Sequence, residues 1–350
     1  MINDISILVR ENIRSLQPYS TARHEHQGPA SVFLDANENP FGSPVKDDYT
    51  RYPDPLQKQL KEKISLVKGV PPENIFLGNG SDEAIDLLIR IFCEPGVDNI
   101  IIMTPTYGMY SVCAAINNIL VKNVPLTEDF QPDIETLESS IDARTKIIFI
   151  CSPNNPTGNS INRQEIEIIL SNFQGIVVID EAYINFARQK TFITELTEFP
   201  HLVILQTFSK AWGLAGVRMG MAFAGSPVIK LLNKIKYPYN VSTSSQNIVN
   251  DALENVRQVN DWITELVSER NNLSVELKEF SFVQTVYPSD ANFVLVKMKN
   301  PGDVFTFLAA KGIIVRDRSA VPGCAGCLRI TIGSKQENQK LLIALKEYSV

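Results

Sequence analysis

The stretch Thr207-Phe208-Ser209-Lys210-Ala211-Trp212-Gly213-Leu214-Ala215-Gly216-Val217-Arg218 decides how the rest of the chain is read. It follows Leu202 to Leu205, an apolar run that reads as a buried strand, so its polar groups emerge at a strand end. Open α/β sheets place ligands at that edge. Two hydroxyls, one amine and one guanidinium fall within a short glycine-rich segment whose bare backbone can approach a ligand closely. Hydroxyls and a guanidinium suit a phosphate dianion, and a lysine among them is available to a carbonyl. An isolated Ser-Lys pair would read as a solvated surface loop; what weakens that reading is the company the pair keeps elsewhere in the chain.

Ile176-Val177-Val178-Ile179-Asp180-Glu181-Ala182-Tyr183 ends a buried strand in a carboxylate, and an unpaired buried charge is costly. Asp180 either caps the next segment or meets a cation, and a protonated ring nitrogen would be one. Ser152-Pro153-Asn154-Asn155-Pro156-Thr157-Gly158 also follows a strand, and its prolines and glycine fix a turn that presents an Asn amide. Asn155 and Tyr183 could both reach a phenolate oxygen on a ring. Gly80-Ser81-Asp82-Glu83 stands where a strand meets a helix, so free N–H groups and the helix dipole favour an anion, although Ser81 or Asp82 could equally be an ordinary N-cap. Tyr107, in Pro105-Thr106-Tyr107-Gly108-Met109-Tyr110, lies just past another strand and could stack on a flat ring or be a core tyrosine. A phosphate, an aldehyde and a basic ring nitrogen occur together in pyridoxal 5′-phosphate (PLP), for which a Schiff-base lysine and a pyridinium partner are a recognised arrangement.

Composition narrows the alternatives. At 350 residues the chain is long enough for two domains. Its 44% hydrophobic and 21% charged content is ordinary for a globular protein. A net charge of −6 argues against a general nucleic-acid or acidic-membrane surface while leaving room for a local basic pocket. Met1-Ile2-Asn3-Asp4 lacks the basic and apolar regions of a signal peptide, and no apolar run approaches the ~18 residues of a membrane span. Five cysteines, Cys93, Cys113, Cys151, Cys324 and Cys327, suggest reduced thiols and a cytoplasmic protein. Cys324-Ala325-Gly326-Cys327 has no second pair, so two buried thiols are expected there and no metal. His24-Glu25-His26 reads as a polar arm. Neither a Gly-x-Gly-x-x-Gly nor a Walker A pattern is present, which leaves dinucleotide or nucleotide binding without support.

Along the chain, Ile5, Leu8, Val9, Ile13 and Leu16 predict an amphipathic helix and Val32-Phe33-Leu34 a strand. From about 56 to 225, helices and β-branched apolar runs alternate, which predicts a largely parallel sheet covered on both faces. Beyond 226, helices at about 242–256, 258–279, 302–310 and 335–346 accompany short strands at Phe282-Val283, Asn292 to Val296, Gly312 to Val315 and Cys327 to Ile332. The expected fold is α/β, with an arm over 1–40, a large domain over 41–240 and a small α+β domain over 241–350 that the arm joins.

With these residues in place, the chain resembles the aspartate-aminotransferase-like superfamily of PLP enzymes, and within it the histidinol-phosphate branch of the class II aminotransferases. Ser152 to Gly158, Asp180 to Tyr183 and Ser209 to Arg218 carry the superfamily likeness; Asp35 to Pro40, Arg51-Tyr52-Pro53-Asp54, Gly80 to Ala84, Pro105 to Tyr110 and Cys327 to Thr331 carry the branch. The resemblance implies a PLP-binding domain with a mostly parallel sheet of the seven-stranded type. It implies Lys210 as the Schiff-base and proton-carrying lysine, Asp180 as the pyridinium partner, Asn155 and Tyr183 on the ring O3′, and Tyr107 on the ring face. The phosphate would sit on Ser81, Asp82 and Glu83 at the helix start, with Thr207, Ser209 and Arg218. Tyr52 would reach that phosphate from the other subunit of a homodimer. Arg329, Arg316, Tyr19 and Asn37 would face the substrate. The implied reaction exchanges an amino group between L-histidinol phosphate and 2-oxoglutarate. An aromatic amino acid aminotransferase or a phosphothreonine decarboxylase of the same fold, or a PLP-binding protein without turnover, are the alternatives.

Overall fold

A computed structural model of the chain describes residues 4–19 and 31–348. His24-Glu25-His26 lies outside the described residues. Seven strands form the larger sheet: β1 (Ile75–Asn79), β2 (Asn99–Thr104), β3 (Leu120–Pro125), β4 (Thr145–Cys151), β5 (Ile176–Asp180), β6 (Leu202–Thr207) and β7 (Met219–Ala224). Their order is β1-β7-β6-β5-β4-β2-β3. Only β7 runs against the others.

The near-continuous apolar runs follow from burial on both faces. Successive side chains of a strand point to opposite sides. Ile148, Ile150, Val177, Ile179, Leu202 and Ile204 therefore join one core cluster, while Ile147, Phe149, Ile176, Val178, Val203 and Leu205 join the other. The amphipathic helix Ser81–Phe92 covers the second face with Ile85, Leu88, Ile89 and Phe92.

The smaller sheet is antiparallel, in the order β10-β11-β9-β8: β8 (Val283–Val286), β9 (Phe293–Met298), β10 (Arg316–Asp317) and β11 (Cys327–Thr331). Helices Val256–Leu277, Pro301–Ala310 and Lys335–Tyr348 contribute to one core with Val294, Val296, Leu328 and Ile330. The other face carries Leu295 and Cys327, in contact with Phe130 from the large-sheet side. Both Cys324 and Cys327 are free and buried.

Several expectations need correction. The first helix breaks into a 3₁₀ turn, Ile5–Leu8, and one helical turn, Glu11–Arg14. Extended backbone at Val9 lets Arg10 N–H donate to Ile91 O at 3.0 Å. Ile5 and Val9 are buried among the large-sheet core, so this part of the arm rests on the large sheet and not on the small one. Val32-Phe33-Leu34 is no strand; Leu34 is 90% exposed and joins no sheet edge among the described residues. The strand expected over 312–315 forms only at Arg316–Asp317, because Gly312 takes φ +76° and closes the preceding helix. Strand β7 and the helix Ser226–Ile235 were not expected at all.

Candidate active site

The carboxyl ends of β1, β4, β5 and β6 share one edge, and the antiparallel β7 starts there. That reversal brings Arg218, the residue before β7, to the same edge as Thr207, which ends β6. A cavity of about 150 Å³ opens at this edge. Gly80, Ser81, Asp82, Tyr107, Asn155, Asp180, Tyr183, Thr207, Ser209, Lys210 and Arg218 all line it.

Asp180 forms the floor. Its Oδ2 accepts from the Tyr110 hydroxyl at 2.8 Å and its Oδ1 from Ala182 N–H at 3.1 Å. Burial pushes its carboxyl up to about 6, against the two hydrogen bonds that favour the charged form. Among the described residues it forms no ion pair. Asp180 thus lacks the cation that a protonated ring nitrogen would supply.

Lys210 stands at one side, its Nζ 5.6 Å from the centre of the Tyr183 ring. Lys210 stays exposed on the cavity side, yet the desolvation it does undergo, and with it the positive charges of Arg329 and Arg218, lower its pKa. Asn155 Nδ2 donates to the Tyr183 hydroxyl at 3.4 Å, and Arg329 Nη1 donates to Asn155 Oδ1 at 2.5 Å. Arg329 therefore reaches from the small sheet to the large-sheet site through one amide. Its guanidinium also lies 5.1 Å from the Phe293 ring centre. The Tyr183 hydroxyl itself is held well above its ordinary pKa by burial.

The anion end is built from backbone. Helix Ser81–Phe92 begins after Gly80 with no side chain capping its N–H groups. Gly80 adopts φ +72°, and a Cβ there would stand 2.8 Å from Arg218 Nη2. Gly220 is tighter still: a Cβ would meet Ser81 N at 2.1 Å. Thr207 Oγ1 donates to Ser209 Oγ at 3.0 Å and accepts from Ser209 N–H at 3.0 Å, so both hydroxyls face the same small space. Arg218 Nη2 lies 3.6 Å from Asp82 Oδ2, whose other oxygen accepts from Tyr107 Oη at 3.1 Å. Uncapped helical amides, two hydroxyls and a guanidinium fit a phosphate. With Asp180 and Lys210 at the other end, the residues present fit PLP.

Not every expected residue converges here. Glu83 turns its carboxylate back to Asn79 N–H at 2.5 Å and to Asn240, leaving only its backbone near the helix start. Tyr52 stacks on Tyr239 with ring centres 4.5 Å apart, and with Asn37 it lines a separate cleft. Tyr19 is 76% exposed and lines a third cleft, beside Arg10 and Pro238. Arg316 is exposed and stands opposite Arg329 in the β10–β11 pair.

Comparison with known proteins places this geometry. The family described as aminotransferase class I and II matches residues 25–345. The chain belongs to that family. A histidinol-phosphate aminotransferase of Parabacteroides distasonis is 53% identical over 345 residues, covering 99% of each chain. One of Bacteroides thetaiotaomicron is 51% identical, over 97% of this chain and 98% of that one. The crystal structure of histidinol-phosphate aminotransferase from Sinorhizobium meliloti in complex with pyridoxal-5′-phosphate shares the fold, with a TM-score of 0.79 over 90% of this aminotransferase and 89% of that chain at 23% identity.

Sequence reasoning missed the groups that support these. Tyr110, in the first turn of the helix Met109–Ile116, holds Asp180 while its ring stacks on Phe149 at 4.7 Å between centres. Cys151 ends β4 and lines the cavity. Only the spacing of Tyr110 from Tyr107 hinted at the first, and the second carried no signal beyond its place at a strand end.

Proposed function

We propose that this aminotransferase exchanges an amino group between L-histidinol phosphate and 2-oxoglutarate, giving 3-(imidazol-4-yl)-2-oxopropyl phosphate and L-glutamate, with PLP as cofactor. The observation that carries the substrate is the near-full-length identity to proteins of that name. PLP, when bound, supplies the aldehyde that takes up an amino group and a ring that withdraws electrons. Lys210 would hold the cofactor at rest; its amine, once free, would take the proton from the substrate Cα and deliver it to the cofactor's aldehyde carbon, and the reverse half-reaction would run the same transfer backwards. Lys210 can do so because partial desolvation and the charges of Arg329 and Arg218 favour its neutral form. Asp180, held by Tyr110, keeps the ring nitrogen protonated. Asn155 and Tyr183 orient the ring oxygen, and Tyr107 covers a face of the ring.

At the far end, Gly80-Ser81-Asp82, Thr207, Ser209 and Arg218 bind the cofactor phosphate. Arg329 holds the substrate's anionic group, since a guanidinium fork suits carboxylate and phosphate oxygens alike. Arg316, Tyr19 and Asn37 complete the substrate pocket in a homodimer, and Tyr52 serves the phosphate of the partner. The position of Tyr52, half exposed and stacked on Tyr239 in a cleft apart from Lys210, supports that reading. The same reading divides the chain at about 240 into a large and a small domain. Five free cysteines, all buried, support a cytoplasmic enzyme. Among the described residues no helix is long and apolar enough to cross a membrane.

Holoenzyme mixed with L-glutamate and no acceptor separates transfer from mere binding. One 2-oxoglutarate should be released per subunit, and adding L-histidinol phosphate's oxo product should then regenerate the starting absorbance. Bound PLP with no release of oxo acid would contradict the reading.

A further inference from the structure

Three arginines gather on one face of the small sheet. Arg316 pairs directly with Arg329, and directly opposed residues in an antiparallel pair project to the same side. Arg318 N–H donates to Cys327 O at 2.9 Å, continuing the ladder one step beyond β10. Arg318 is therefore two residues from Arg316 and on its side of the sheet, opposite Cys327. That side is the one Leu295 and Cys327 present toward Phe130, whereas Leu328 and Ile330 fill the helix-covered core. Asp317, between the two arginines, points the other way and accepts from Ser319 N–H at 2.8 Å.

Among the described residues, none of the three guanidinium groups forms an ion pair. Arg318 Nε is fully buried with no hydrogen-bond partner, which is unusual for a charged donor. After burial, Arg318 is the strongest influence lowering the Arg329 pKa, and its charge also acts on Tyr183. Arg329 holds Asn155 and shares its sheet face with Arg316 and Arg318, so three like charges, one with an unsatisfied donor, lie on one side of the small sheet, as a receptor for concentrated negative charge requires.

We propose that Arg318 is a third guanidinium of the substrate anion pocket and makes it selective for a phosphate ester over a carboxylate; the inference rests on the histidinol-phosphate reading above. A phosphate carries both charges and three acceptor oxygens on one centre. A dicarboxylate has its two charges apart, so only one end can sit on the cluster.

Steady-state kinetics of the holoenzyme test it, with Arg318→Gln and Arg318→Lys assayed with L-histidinol phosphate and 2-oxoglutarate varied separately. In Arg318→Gln, KM for the ester should rise about tenfold or more, as loss of a hydrogen bond between charged groups implies. KM for 2-oxoglutarate should change by no more than about threefold, kcat should hold within about twofold, and Arg318→Lys should recover part of the loss. Inorganic phosphate, as a competitive inhibitor, should weaken in parallel with the ester. Equal changes for both substrates, or none, in an enzyme that turns over the ester would overturn the role of Arg318 and leave the reaction standing. A wild-type enzyme inert toward the ester would sink the reaction instead, and phosphate inhibition would then decide Arg318 by itself. Should Arg318→Gln fail to fold, the Arg318→Lys variant must still show the ester-selective rise.

Discussion

In the proposed reaction two side chains bear most of the chemistry at the scale of single residues. Lys210 is the sole lysine lining the cavity, so Lys210→Ala should abolish amino transfer while the fold persists. Borohydride reduction of holoenzyme followed by peptide mapping should place the pyridoxyl group on Lys210; a label on another lysine would overturn the assignment. Asp180 makes a sharper case, because the folded chain holds its pKa above the ordinary value, up to about 6. Without a cation, its charged form is penalised, so apoenzyme loses stability as pH rises from about 4 to about 6 and stays lower above that. Asp180→Asn removes that penalty. Apo Asp180→Asn should melt no lower than wild type at pH 8, by a margin on the order of 1–3 kcal/mol that vanishes below about pH 4, yet lose most activity with cofactor bound. A variant apoprotein that melts well below wild type at pH 8 would show that Asp180 is chiefly structural. Both residues stood out in the sequence because each follows a buried strand, although Asp180 also read as a cap and its Oδ1 does accept from Ala182 N–H. Tyr110 and Arg318 did not, because a tyrosine in an apolar helix and an arginine in a turn each have ordinary readings.

At the scale of elements, the fit between β7 and the helix Ser81–Phe92 sets the geometry of the proposed anion site. Gly220 lets the strand pass against Gly80 and Ser81, where a Cβ would lie 2.3 Å from Gly80 C. Gly220→Ala should therefore displace the turn that presents the phosphate-binding amides. Overpacking of this kind costs about 1–3 kcal/mol. PLP affinity should fall in step with the melting temperature, and unchanged values of both would refute the role given to this contact. The same strand shows where sequence reading stops. Met219 to Ala224 holds a glycine and two alanines, which have weak strand preference, yet all six residues are buried between β1 and β6. Tertiary packing makes it a strand. The parallel strands β2, β4, β5 and β6 announce themselves through β-branched runs because they are covered on both faces. Val32-Phe33-Leu34 has the same local look but pairs with no strand among the described residues.

The whole molecule adds what no single chain displays. Lys210 and Asp180 lie in one cavity, while Tyr52, Asn37 and Tyr19 line clefts elsewhere on the surface. Sequence alone places these residues near one site only through resemblance, and in the proposed homodimer Tyr52 would act on the site of the second copy. If Tyr52 serves the partner's site, Lys210→Ala and Tyr52→Ala subunits carry defects in different halves of each active site. Random mixing of the two weak variants then makes about half of the dimers mixed, each with one intact site, so activity should recover to about a quarter of wild type. No recovery on mixing would mean that each chain completes its own site. The measurement that bears most directly on what this enzyme does is a side-by-side comparison of L-histidinol phosphate, L-phenylalanine and L-phosphothreonine as amino donors to 2-oxoglutarate. The phosphate ester should lead in kcat/KM by about a hundredfold or more, a difference of ~3 kcal/mol in transition-state binding, and phosphothreonine should release no carbon dioxide. Equal or faster turnover of phenylalanine, or decarboxylation of phosphothreonine, would contradict it.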